Sequence, residues 1–160
     1  MEYILAHPEI ILQHASGSTH LLSLITYLPL LGAIVIALFL PRANRSAIRT
    51  VATGCTVLTF VLSLVLLKNF EASTYKLQLV EYANWIPSIG VAYFMGVDGI
   101  SILLVLLTTL LSIIVVVCSY SQIEENEKAY YACLLFLETG MLGVFMALDF
   151  FLFYIFWEIM

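Results

Sequence analysis

Two carboxylates stand in stretches that otherwise hold only apolar, aromatic and small residues. Glu138 lies in LLFLETGMLGVFMAL (134–148) and Glu158 in FFLFYIFWEIM (150–160). An ionisable side chain at the centre of a bilayer costs about 2.5–3.5 kcal/mol on insertion scales, so it is retained for ion or proton handling or for a buried hydrogen bond. A carboxyl in hydrocarbon is neutral when dry and ionises when a cation approaches, which suits it to carry a proton between short files of water. Glu158 and, secondarily, Glu138 are therefore the candidate proton-translocation residues. The structural alternative is a carboxyl that only fixes packing, and it weighs more for Glu138, whose neighbours Thr139 and Gly140 suggest a close helix contact. Asp98 and Asp149 read as helix N-caps. Gly-rich phosphate loops, Ser/His/Asp arrangements and CxxC spacings do not occur in the sequence.

The elements around these residues follow from composition. Of 160 residues, 62% are hydrophobic and 11% charged, with a mean hydropathy of +1.05. Soluble domains run near a quarter charged, so this chain lacks a polar coat and belongs in the lipid bilayer. The net charge of -5 says little about partners, because the acids cluster between apolar runs. Six basic residues forming no stripe argue against nucleic acid as a partner. Cys55, Cys118 and Cys133 read as free thiols packed as small hydrophobes. His7, His14 and His20 lie in a polar N-terminal stretch and do not make a metal site.

Residues 1–20 read as an external arm. Uncharged residues 21–40 are long enough to cross about 30 Å of hydrocarbon, and Pro29 is tolerated there as a kink. Second and third crossings are expected at about 51–67 and 99–120. Ala129–Met160 is apolar for too long to be one crossing, and Asp149 divides it into a helix at about 129–147 and another from about 150. The latter has some eleven residues, roughly 16 Å, so the chain is expected to be the N-terminal piece of something longer. With the turn near Leu148, Glu138 and Glu158 both fall roughly 15 Å from it, at one depth near the midplane. The rotation of each helix, and so whether the two carboxyls face each other, is left open. Residues 75–94 alternate at period two around Pro87–Gly90 and predict a β-hairpin, with Tyr75, Tyr82, Trp85 and Tyr93 as an interfacial aromatic belt. Arg42, Arg45 and Arg49 in PRANRSAIR (41–49) place that loop inside. SQIEENEK (121–128) is then inside as well, and the N-terminus and hairpin are outside.

Three stretches, WIPSIGVAYFMGVDGIS (85–101), LETGMLGVFMALD (137–149) and FFLFYIFWE (150–158), closely resemble the chain M family of proton-pumping NADH:quinone oxidoreductase, respiratory complex I. HLLSLITYLPLLGA (20–33) is similar to that family's first helix. The resemblance implies an all-α integral membrane fold. This chain would hold four transmembrane helices, the first half of a fifth, and an external hairpin at about 70–98, as a fragment of a fourteen-helix antiporter-like fold. It divides the chain into an arm (1–20), helices one to three (21–128) and the start of the first inverted repeat (129–160). Glu158 matches the family glutamate that pairs with a membrane lysine on helix seven in a proton half-channel. No membrane-embedded lysine occurs here, and helices six to fourteen are absent from the sequence. The resemblance further implies a non-catalytic membrane-arm subunit of a bacterial inner-membrane complex, contacting sister antiporter-like chains. NADH, FMN, iron–sulfur clusters and quinone would reside in other subunits, and this chain would hold no cofactor. Alternatives are a sister subunit of a cation/proton antiporter or membrane hydrogenase, or a non-transporting assembly fragment.

Overall fold

The computed structural model describes residues 20–71, 73, 77–123 and 125–160. Residues 1–19 of the expected N-terminal arm, with His7 and His14, and Tyr75 at the start of the hairpin lie outside the described residues. The described chain runs α1 (Leu21–Phe39), α2 (Arg45–Lys68), β1 (Gln78–Ile86), β2 (Val91–Val97), α3 (Gly99–Cys118), α4 (Glu127–Met146) and α5 (Phe150–Ile159). Helices α1 to α4 are long and apolar enough to cross a membrane, and α5 is a shorter apolar helix. Pro29 is accommodated inside α1, whose last stretch, Val35–Phe39, widens into a π-helix.

The packing inverts the soluble pattern. Leu38, Ile100 and Leu103 are exposed, while α2 buries Ala52, Thr56, Thr59 and Ser63. Small and hydroxylated side chains let helices approach, and each hydroxyl needs a partner where water is excluded. Thr56 and Thr59 donate to carbonyls one turn back, and Ser63 meets Thr109 of α3 at 3.0 Å. Ile48 and Leu66 of α2 are buried beside them, while many of its other large apolar residues, such as Leu58 and Val61, stay exposed.

One boundary needs correction. The second helix begins at Arg45 rather than at about Val51, so Arg45 and Arg49 belong to α2 and only Arg42 stays in the loop. Asn44 sets the start by accepting from the Ala47 amide at 3.1 Å. Long arginine stems lie along the helix while their heads reach the boundary, so charge does not end a helix there.

β1 and β2 pair antiparallel, Tyr82 opposite Phe94 and Ala83 opposite Tyr93, and a 3-10 turn at Pro87–Ile89 joins them. The hairpin folds back onto the bundle. The Leu148 amide donates to the Phe94 carbonyl at 2.8 Å, and Met95 bridges to Ala147. Met95 and Val97 share a core with Leu22, Ile25, Leu142 and Met146. The molecule thus has a hairpin end and, opposite it, an arginine end.

Candidate functional site

The contact between α4 and α5 fixes the depth of the two glutamates. Gly143 lies against the Phe156 ring, in space that any side chain would occupy. One turn away, a Cβ on Gly140 would stand 3.0 Å from Ile159 Cγ2 and 3.3 Å from the Phe156 carbonyl oxygen. With 143 against 156 and 140 against 159, position 141 lies opposite Glu158. Glu138 is three residues deeper, or about 4.5 Å at 1.5 Å per residue. The two carboxyls stand within one turn of each other in depth.

They do not face each other. Glu158 is two residues from Phe156, and Glu138 two residues from Gly140. At about 100° per residue each points away from the shared contact. Glu138 joins the buried stripe Tyr131, Leu135, Leu142 and Met146 that α4 turns toward the rest of the bundle. It is 1% exposed, and neither carboxyl oxygen has a hydrogen-bond partner among the described residues. Ser112 on α3 and Cys55 on α2 lie near it, the Ser112 hydroxyl short of good bonding geometry. Buried polar groups are nearly always satisfied, so this orphaned carboxyl is an exception that asks for a role. Glu158 is exposed on α5, with Tyr154, one turn back, as its polar neighbour.

The expected caps are in place. Asp149 accepts from the Phe151 and Leu152 amides at 2.9 and 3.1 Å. Asp98 accepts from Ser101 at 2.7 Å and Ile100 at 3.0 Å, and the Ser101 amide above all holds its carboxyl below the usual carboxylate range.

Sequence reasoning missed a third carboxylate at this end. Glu81 of β1 is 8% exposed and reaches the first turn of α1, accepting from the Leu22 amide at 2.7 Å and from the Ser23 amide and hydroxyl. The Ser23 hydroxyl also meets Tyr93 at 2.7 Å, and burial pushes the Tyr93 phenol up from its ordinary value. An acid between apolar strand residues was the available signal, but its target is 59 residues away.

A family model, NADH-ubiquinone oxidoreductase chain 4, amino terminus, matches residues 21–146. The chain belongs to this family. It is 45% identical over 143 residues to the NADH-quinone oxidoreductase subunit M of Rhodobacter capsulatus, covering 87% of this chain and 27% of that protein. It is 38% identical over 130 residues to the NADH-ubiquinone oxidoreductase chain 4 of Arabidopsis thaliana, covering 81% of this chain and 26% of that protein. A subunit M from Rickettsia typhi is 34% identical over 143 residues, 86% of this chain and 29% of the relative. The chain thus spans somewhat over a quarter of the length of these relatives.

The chain 4 amino-terminal match takes in Glu138 and stops before Glu158. It also takes in a cluster at the arginine end that the sequence did not disclose. Arg49 makes a two-point contact with Glu127 at 2.8 and 2.9 Å and lies 5.2 Å from the centre of the Tyr120 ring. Arg45 approaches the same carboxylate at 3.5 Å. Paired guanidinium and carboxylate are what allow Glu127 to be buried at 3% exposure. The three cysteines are free as expected, but only Cys55 is even partly buried, Cys118 and Cys133 being exposed.

Proposed function

We propose that this chain forms the N-terminal membrane part of subunit M of respiratory complex I and takes part in proton translocation coupled to quinone reduction. Redox chemistry, with NADH, FMN, iron–sulfur clusters and quinone, is assigned to other subunits. The supporting observation is the pair of carboxyls at matched depth in adjacent apolar helices, one buried without partners and one open, in a chain of this family.

In this reading Glu158 is the transfer group. Its face of α5 also exposes Phe150, Tyr154 and Trp157, leaving room for a later helix to bring a cation against the carboxylate. Approach of that cation favours the ionised carboxyl and releases a proton. Withdrawal favours the neutral form and takes one up. Glu138 exchanges protons on the opposite side of α4. The arginine loop lies inside and the hairpin outside, α4 and α5 open the first inverted repeat, and sister antiporter-like chains flank the subunit.

Proton uptake by vesicles, measured alongside NADH oxidation at matched complex content, tests the proposal. Glu158→Gln keeps shape and hydrogen bonding but removes the ionisable proton. Pumping is expected to fall by roughly 10²-fold, the lower range for loss of a general acid–base group, while the complex still assembles. Glu158→Asp keeps part of the activity. Near-normal pumping in Glu158→Gln would overturn the reading.

A further inference from the structure

At the arginine end, a cavity of about 560 Å³ opens between the π-helical end of α1 and the first turn of α4. Its walls are of two kinds. Ala37, Ala129 and Ala132 are apolar, whereas Arg42, Arg45 and Lys128 bring three cations. Of the two carboxylates in the wall, Glu127 is already neutralised by its two-point contact with Arg49, which is not part of the wall. Three cations then stand against the single carboxylate of Glu125, among the described residues. Neither Arg42 nor Lys128 makes an ion pair among those residues.

The backbone adds to this field. Asn126, at φ 53°, makes no side-chain cap hydrogen bond at the start of α4, so no N-cap side chain among the described residues competes for the first-turn amides. Helix N-termini favour anions through these free amides and the helix dipole.

Position selects the kind of anion. The cavity lies where the α1 span ends and the α4 span begins. Beside Ala37, Leu38 and Phe39 are 73% and 74% exposed, which extends an apolar surface along the membrane side of α1. A free phosphate would meet the cations and leave that surface bare. A molecule with an anionic head and apolar chains meets both. Basic pockets between transmembrane helices at a membrane boundary suit phospholipid head groups.

We propose that this cavity binds the phosphate head group of an anionic membrane lipid, with its acyl chains along Leu38 and Phe39. Arg42 and Lys128 hold the phosphate, while Arg45 divides its charge between lipid and Glu127. The proposal is independent of the proton-translocation reading.

The test uses the solubilised complex containing the full-length subunit and two photoactivatable probes with identical acyl chains, phosphatidylglycerol and phosphatidylcholine. Peptides spanning 35–42 or 127–132 are expected to be labelled several-fold more by the anionic probe. Arg42→Gln should weaken that labelling about fivefold, the contribution of one basic residue near an anionic surface. Adding Lys128→Gln should bring it to the phosphatidylcholine level, and Lys68→Gln at the hairpin end should change nothing. Equal labelling by the two probes, no labelling of these peptides, or indifference to the double substitution would each overturn the proposal. Displacement of the probe by millimolar inorganic phosphate would also overturn it, in favour of a free-phosphate site.

Discussion

Glu138 is buried among α2, α3 and α4 with both oxygens unpartnered, whereas Glu158, within one turn of it in depth on the adjoining helix, is exposed. Depth came from counting residues away from the turn near Leu148, and the Gly143–Phe156 contact offsets that count by three residues, or about 4.5 Å. Environment came from rotation about the helix axis, which Gly143 and Phe156 settle by pressing the faces away from the carboxyls together. The contrast teaches that a carboxyl can be placed for proton exchange in two ways. One is held inside the domain without a partner, and the other is presented outward to a partner.

The most damaging change should be one that breaks the contact setting this comparison. In Gly143→Leu the new side chain competes with the Phe156 ring for the same space. Overpacking costs typically 1–3 kcal/mol and occasionally more, so a loss of about 3 kcal/mol is expected. Heating the solubilised complex should release the variant subunit first, and Gly143→Ala should lie between it and the parent.

Next comes the anchor of the hairpin end. Glu81→Ala removes the acceptor for the Leu22 and Ser23 amides and the Ser23 hydroxyl. Hydrogen bonds to a charged group contribute about 1.5–3 kcal/mol, and a loss of roughly 2 kcal/mol should appear as faster amide exchange in the first turn of α1. Unchanged protection at Leu22 and Ser23 would show that the carboxylate does not hold the helix end.

Substituting the two carboxyls by the same apolar residue sharpens the comparison directly. Glu138→Leu relieves a buried, unpartnered polar group and should stabilise the subunit by about 1–2 kcal/mol, while proton uptake falls. Glu158→Leu should bring no such stabilisation, because its side chain is exposed within this chain and relieves no buried group there. Destabilisation by Glu138→Leu would show that Glu138 is a packing group.

The smallest effect is expected at Asp98. Asp98→Ala should cost about 1 kcal/mol near neutral pH, as for an ordinary N-cap. The folded-state pKa of Asp98 is lowered, so its contribution is present above the unfolded value and is lost as pH falls through the folded one. Melting curves of parent and variant should therefore converge in acid.

The sequence by itself determined the membrane class, the number of apolar runs, the hairpin and the caps at Asp98 and Asp149. Each is a local matter, since run length, period-two alternation and a short polar residue before an apolar helix act over a few neighbours. It misplaced the start of α2, because arginines read as loop when their stems can lie along a helix. It placed Glu138 and Glu158 at one depth but left their facing open. Only the tertiary structure decided that, along with the Glu81 cap on α1, the Arg49–Glu127 pair and the basic cavity. These join residues far apart in the chain, and they depend on how each helix is rotated and which small residues let backbones meet, which no window of sequence contains.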